Sequence, residues 1–484
     1  MEAQSNWFRE TANRELKNEL SQLFLSLLPP GFTILRQIAM SSFPDPTSAV
    51  EHARSIRAEV VERMPQLLEE FEKNAVSHGA KVLWARDARE TTAMILDIAK
   101  QRGINYVAKG KSMVTEEVGL NKYLAMNGIE VFETDLGEVI TQQLSLPPFH
   151  IVGPAINVSP EEISAVFLKK GIIKEPTTNP IELGKAVRAY LREKFWHLDM
   201  GIVGVNMAVA ETGTIINVEN EGNIRLVKSS PRAVVAVMSL EKVVPTMADA
   251  IHMVRVLCRN CTGQKMSSYV SMDTGPRKFK ELDGPDELFI IIVDNGRSEI
   301  YRDRQTREVL RCIRCGACLN TCPVYAKIGG YPYGFAYSGP MGQVLTPLLV
   351  GIGETSDLYR ACTLCRACKL VCPAGVDHPS LLLLYRSREI EHRDGNGQSL
   401  LRRLEKVATF LASLGMSNGH VWNLGAKIMR LVLRRLAHDG YITHMPLRAK
   451  AWTDCRDLPS IPNRTFHERW KDLKGSDYTF GNRR

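Results

Sequence analysis

The 484-residue sequence has no run of about 18 consecutive apolar residues, the length a helix needs to cross a hydrocarbon core, and so predicts no membrane span. The N-terminus, MEAQSNWFRE, has no basic stretch followed by an apolar one, and SQLFLSLLPP (21–30) is short and ends in prolines. The expectation is a chain without a secretory signal, located in the cytoplasm. No G-x-x-x-x-G-K-[ST] loop is present and no G-x-G-x-x-G opens a helix; GKS at 110–112 lacks the upstream glycine. The sequence therefore gives no support for a nucleotide or flavin site. With 44% hydrophobic and 24% charged residues it is neither disordered nor collagen-like, and its length suits two or three domains.

What the sequence does have is cysteine, in two runs: CIRCGACLNTCP (312–323) and CTLCRACKLVCP (362–373). Each reads C-x2-C-x2-C-x3-C-P. A reducing cytosol leaves disulfides little use. Zinc sites pair C-x2-C knuckles a dozen or more residues apart, because each knuckle supplies two ligands to one tetrahedron. Here three thiolates at i, i+3 and i+6 wrap one corner of a larger object. The fourth lies too far along to close the same corner, and in two-cluster ferredoxins it ligates the other cluster. The spacing thus predicts two [4Fe–4S] clusters. One takes Cys312, Cys315, Cys318 and Cys372; the other takes Cys362, Cys365, Cys368 and Cys322. Neither run has lost a cysteine, as a [3Fe–4S] variant would suggest. Pro323 and Pro373 turn the chain after each fourth cysteine. Gly316, Ala317 and Ala367 let backbone amides approach the cluster sulfurs.

The runs are offset by fifty residues with helical filler between them, unlike the short β-rich link of minimal bacterial ferredoxins. This resembles the α-helical ferredoxin of succinate dehydrogenase and heterodisulfide reductase subunits. HPSLLLLYRSREIEHR, after Cys372, reads as a helix. Cys258 and Cys261 form an isolated C-x2-C, read first as two small buried hydrophobes and second as a further metal or redox site. Cys455 stands alone with no assigned role.

Charge is uneven. Residues 301–484 hold 28 Lys and Arg against 15 Asp and Glu, and the first 300 hold 34 against 38. A basic half can be plain solvated surface, or it can face nucleic acid or anionic lipid. Two thiolate-bound clusters remove roughly four units of that excess, which argues against nucleic acid. The segments 400–415 and 423–440 form basic amphipathic helices. They either cover the ferredoxin domain, dock a partner, or rest on an anionic membrane face.

Residues 44–78 have helical periodicity ending at Gly79. Strands are expected at 81–85, 105–108, 130–134, 149–153, 201–210, 214–219, 233–238 and 288–294. Helices are expected at 88–102, 114–127, 160–169, 181–197 and 246–257. This alternation predicts an α/β domain with a largely parallel sheet. Glycine-containing polar clusters close several strands. Within them Glu211, Asn223, Arg277 and Arg297 are the candidate ligand-site residues, weighed against turns that only close the fold.

KSMVTEEVGLN, ETDLGE, HIVGPAI, AETGT, EGNIRL, EKVVPT, TGQK, TGPR, DGPDELFIIIVDNGRS, LRCIRCGACLNTCPVY and the tail RDLP with FHERW resemble the lactate utilization protein B family over about 60–475. The resemblance implies a helical N-terminal segment (1–74) and a CoA-transferase-like α/β LUD domain (75–300). An α-helical two-cluster ferredoxin (301–395) and a helical C-terminal extension (396–484) would follow. It further implies an electron-transfer subunit in oxidation of L-lactate to pyruvate, passing electrons towards a respiratory acceptor such as a quinone. Its implied partners are two smaller subunits, one a cysteine-rich heterodisulfide-reductase-like protein and one a second LUD-domain protein. Two alternatives stay open: a redox-sensing LUD module that binds a small molecule, and a subunit of heterodisulfide-reductase type. The resemblance leaves the catalytic residues unassigned, as it does the subunit that oxidises lactate.

Overall fold

The computed structural model describes residues 8–395, 400–446, 449–454 and 456–475. Cys455, and the expected domain boundary at 396, fall on residues outside that set. The chain divides into two units, Met1–His392 and Arg393–Arg484.

The first unit is built on ten strands: β1 (Lys81–Ala85), β2 (Tyr106–Lys109), β3 (Glu130–Glu133), β4 (Met200–Gly204), β5 (Met207–Val209), β6 (Thr214–Glu219), β7 (Ala233–Ser239), β8 (Val243–Val244), β9 (Tyr269–Asp273) and β10 (Glu287–Val293). Six make one sheet in the order β1-β10-β7-β4-β2-β3, and every pairing is parallel. The rest form a smaller mixed sheet, β8-β5-β6-β9, with β5 and β6 antiparallel. Central β7, AVVAVMS, is buried along its whole length, as a parallel strand covered on both faces should be.

Strand periodicity divides this sheet cleanly. Val235, Val237, Ile291 and Val293 pack with Ile95, Leu96 and Leu124 under the helices Ala88–Gln101 and Leu120–Met126. Their neighbours Val234, Ala236, Met238, Ile290 and Ile292 point the other way. They share one core with Val309, Leu310, Tyr337, Met341, Val344, Leu345 and Cys372. The sheet and the cysteine-bearing segment are thus continuous in packing. Burying one such aliphatic side chain contributes about 1.5–3 kcal/mol.

Two expected elements of this unit are corrected. FHIVG (149–153) forms no strand, because its apolar side chains are used elsewhere. Phe149 is fully buried beneath Gly329, where an added Cβ would lie 2.0 Å from its ring. His150 meets Asn320 at 3.1 Å, and Ile151 approaches Gly316. The helix expected over 114–127 breaks at Gly119, whose φ is +67°, into Met113–Glu117 and Leu120–Met126. The stretch SQLFLSLLPP is part of a longer helix, which Pro29 and Pro30 do not interrupt. Glu19–Met40 runs through them and is, among the described residues, the one helix long and apolar enough by length and composition to cross a membrane. Its Leu25, Pro29, Ala39 and Met40 are buried. It packs on Met247–Cys261, Ala317–Asn320 and Tyr325–Ile328, while Leu23, Leu27, Ile34 and Ile38 face outward.

In the second unit, Leu400–Ser417 and Gly419–Arg435 lie side by side. The latter stops short of the expected residue 440, because Asp439 and Gly440 both take positive φ in a tight turn. Tyr441–Ile442 then pairs antiparallel with Leu458–Pro459, and Arg430 donates to the Asn463 carbonyl at 3.1 Å.

Candidate metal centre

The two cysteine runs have the same local backbone. Arg314 and Leu364, second in their C-x2-C spacers, both lie in the left-handed region (φ 61° and 56°). So do Gly316 and Arg366, each directly after the second cysteine (φ 75° and 66°). This alternation turns amides inward, and the Arg314 amide donates to Cys312 Sγ at 3.4 Å and that of Leu364 to Cys362 Sγ at 3.3 Å. The fourth cysteines also accept, Cys322 from the Tyr325 amide at 3.5 Å and Cys372 from that of Val376 at 3.4 Å. Such nests of N–H groups suit bound anions and thiolates. Gly316 is required on two counts: its φ, and a Cβ there would lie 2.9 Å from Ile151 Cγ2.

The thiols fall into two spatial groups. Cys312, Cys315, Cys318 and Cys372 all line one cavity of about 900 Å³; the other four do not. Burial pushes the Cys318 thiol up, and Cys315, Cys312 and Cys372 push it further. Cys372 is raised by burial and then by Cys312, its strongest thiol neighbour. In the other group, burial followed by Cys362 and Cys322 brings Cys368 up to about 12. Cys322 is raised by burial, with Cys362 and Cys365 as its thiol neighbours. Each group therefore joins three cysteines of one run to the fourth of the other. Among the described residues no three ligands are gathered tightly enough for a single ion. Four thiolates around a multi-iron core stand further apart than the ligands of one zinc, which sit about 2.3 Å from the metal. The donor set, acceptor-poor and rich in amides aimed at sulfur, fits such a core. The groups differ in exposure: Cys315 and Cys372 are buried, whereas Cys365 is exposed.

A basic collar surrounds the first group. Arg36 donates to the Val371 carbonyl, Arg54 to that of Cys372, and Arg57 to those of Glu241, Leu310 and Arg311. Arg314 Nη2 donates to Glu241 Oε1 at 2.9 Å, and its guanidinium lies over the Tyr337 ring. Glu241 in turn accepts from Arg297 Nε at 2.9 Å. Arg297 also forks onto Glu117 (2.8 and 2.6 Å), which accepts from Tyr337 and Asn295. Arg297, Glu117 and Glu241 have 0% side-chain exposure. Burial opposes the charged form of Glu241, but Arg297 and Arg314 hold its carboxyl down at about 2.

A second cavity of about 270 Å³ lies beyond Arg314 and Tyr337, which line both. Its floor is the carboxyl end of the parallel sheet: Lys111 and Ser112 follow β2 closely, Gly204 ends β4, and Val205 and Asn206 come next. From β2 the chain runs outward to β3; from β4 it runs the other way to β7. This is the switch point at which open α/β sheets bind ligands. Lys242, Asn217, Asn223, Asp135, Glu219 and Glu221 add to the polar lining, and both Cys258 and Cys261 face it. Burial and Arg314 lower the Lys242 ammonium to about 8. Cys261 is pushed up to about 11 by burial, which favours an inert thiol.

Of the four candidate ligand-site residues, only Asn223 lines this cavity, its Nδ2 donating to Thr134 Oγ1 at 3.0 Å. Arg297 sits behind it in the buried network. Glu211 is exposed and accepts from the Met247 amide at 3.0 Å. Arg277 pairs with Asp286 on the surface. Sequence reasoning missed Lys242 and Asn206. For Lys242 the available signal was position, just past the expected strand 233–238; Asn206 lay hidden inside the strand expected over 201–210, which the structure breaks into β4 and β5.

Three family models match the chain: the LUD domain over residues 68–293, the 4Fe-4S dicluster domain over 308–376, and the C-terminal domain of lactate utilisation protein B over 387–474. The dicluster match supports iron–sulfur clusters in the segment that carries both cysteine runs. The lactate utilization protein B of Bacillus licheniformis is 41% identical over 431 residues, covering 88% of each chain. That of Bacillus velezensis is 40% identical over 422 residues, covering 87% of each. A crystal structure of a DUF162 family protein from Deinococcus radiodurans aligns with a TM-score of 0.28 at 15% identity, covering 48% of this chain and 98% of that one. With its α/β domain, its paired cysteine runs and its C-terminal unit all matched, the chain belongs to the lactate utilization protein B family.

Proposed function

We propose that the chain is the iron–sulfur, electron-carrying subunit of an L-lactate oxidation system, with two [4Fe–4S] clusters. One observation carries this reading: four thiols drawn from both runs gather in a cavity that shares a wall with the sheet-end cavity, and the other four, among them the exposed Cys365, lie outside it. Cys312, Cys315, Cys318 and Cys372 would hold an inner cluster, and Cys362, Cys365, Cys368 and Cys322 an outer one. When bound, the clusters supply acceptance and release of one electron at a time.

The chain's own residues then have distinct duties. The amides of Arg314, Leu364, Tyr325 and Val376 donate to sulfur and stabilise added negative charge. Arg57, Arg314 and Lys242 face Cys312 electrostatically, which favours reduction of the inner cluster relative to the outer. The shared core of sheet and ferredoxin keeps bulk water from the inner thiols. Two smaller subunits, a cysteine-rich heterodisulfide-reductase-like protein and a second LUD-domain protein, are the proposed partners, in line with the family resemblance.

The test is anaerobic purification with iron and sulfide quantification, followed by EPR after addition of L-lactate. About eight irons per chain, with reduction by lactate only when the partners are present, supports the electron carrier. Reduction by the isolated chain would place the dehydrogenase within it. Zinc in place of iron would overturn the reading.

A further inference from the structure

We infer that the sheet-end cavity is a binding subsite for the carboxylate of a small 2-hydroxy or 2-oxo acid, held by Lys242, Asn206 and the open edge of Arg314. The inference rests on the electron-carrier reading and names the substrate class that this chain itself would hold.

The argument is one of unmatched donors. Among the described residues the Lys242 side chain makes no hydrogen bond or ion pair; Glu241, already held by Arg297 and Arg314, and Cys312 act on its ammonium only through their field, which leaves its Nζ donors open towards the cavity. Arg314 is only 8% exposed, and its Nη1 is buried without a hydrogen-bond partner. Asn206 accepts the Val218 amide through Oδ1 at 2.9 Å, which leaves its amide donors free. The acceptors of the cavity, by contrast, are already served. Asp135 accepts from the Glu138 amide at 3.2 Å and lies 3.7 Å from Lys111. Glu219 accepts from the amides of Ile224 (2.7 Å) and Arg225 (3.1 Å), and Glu221 from that of Leu136 (3.1 Å). A buried cationic donor without an acceptor costs free energy, and an anionic ligand removes that cost.

Position and size narrow the ligand. The cavity opens at the switch point of the sheet, where ligands of such folds bind. Its volume, about 270 Å³, lies below the range of drug-sized pockets and suits a metabolite of a few carbons. Only Arg314, Tyr337, Lys111, Met113 and Ile151 separate it from the cavity of the inner thiols. An acid held there would lie next to the inner cluster.

The experiment is calorimetric titration of the anaerobically purified, cluster-loaded full-length chain with pyruvate and with L-lactate. One site per chain is expected for at least one of the two acids. Lys242→Gln should weaken binding at least tenfold with iron and sulfide content unchanged. Asn206→Asp keeps the acceptor for Val218 but sets a negative charge against the ligand, and should abolish binding. Arg277→Gln, on the outer surface, should bind as wild type. Absence of binding for both acids at millimolar concentration overturns the subsite, as does wild-type binding by Lys242→Gln or Asn206→Asp. If Lys242→Gln loses iron, Asn206→Asp decides alone. Intact clusters without acid binding refute the subsite and leave the electron carrier standing. Acid binding by a chain that never loads iron does the reverse.

Discussion

Replacing Arg297 with methionine removes the centre of the buried ion network while keeping an apolar stem of similar length. Arg297 makes two hydrogen bonds to Glu117 and one to Glu241, with all three side chains at 0% exposure. After the change Glu117 keeps Tyr337 and Asn295, and Glu241 keeps Arg314. Two carboxylates then stay buried with one cation between them. Removing one partner of a buried pair typically costs 3–5 kcal/mol, because the residual charge is left uncompensated. With a urea slope of about 3 kcal/mol per molar or more for a unit of this size, the midpoint should fall by about 1 M. The assay is anaerobic urea unfolding followed by the visible absorption of the clusters. The wild-type carboxyls are depressed, so their contribution is present above pH ~4.5 and lost as pH falls towards about 2. The variant should lose that part of the acid dependence. Adding Glu117→Gln should recover part of the loss, since it removes one orphaned charge. An unchanged midpoint in Arg297→Met, with iron content intact, would refute the claim that this network joins the sheet to the cysteine segment.

Three further outcomes are expected. Cys322→Ser should remove the EPR signal of the cluster held by Cys362, Cys365 and Cys368 and spare that of Cys312, Cys315 and Cys318; loss of the latter instead would show the pairing to be wrong. Gly316→Ala should cost at least ~1–2 kcal/mol for its left-handed backbone and lower iron retention by crowding Ile151, read as faster iron loss to a chelator. Burial holds His150 near 4, so the unfolded chain binds more protons between pH 6.5 and 4; stability should drop across that window, and His150→Asn should flatten the slope in thermal melts at stepped pH.

The cysteine spacing made the nature of the centre legible, because thiolate geometry admits few alternatives at three-residue intervals. Strand positions were nearly as clear, with β1, β6, β7 and β10 expected within a residue or so of where they lie. Apolar runs become ambiguous when a side chain has two destinations. FHIVG has the composition of a strand, yet Phe149 and Ile151 are taken up by the ferredoxin segment through contacts that no local pattern encodes. The full length of the helix Glu19–Met40 was not legible for a related reason. Thr33 Oγ1 caps the Pro29 carbonyl at 2.9 Å, and tertiary packing holds the helix through the break. Lys242 and Asn206 stayed hidden because a cavity residue is defined by the switch in strand order, which exists only once the sheet is assembled. Arg297 stood out as a candidate in the sequence, but its environment makes it a strut behind the cavity.

The unequal exposure of the two thiol groups also sets how the molecule ages. Cys365 and its neighbour Arg366 stand at the surface, whereas no cysteine of the first group is exposed. Oxidants follow access to sulfur, so damage in air begins on the outer side. A preparation handled carelessly should therefore pass through a half-loaded form that keeps the inner irons. Its iron content would diagnose the lesion before any loss of fold became visible.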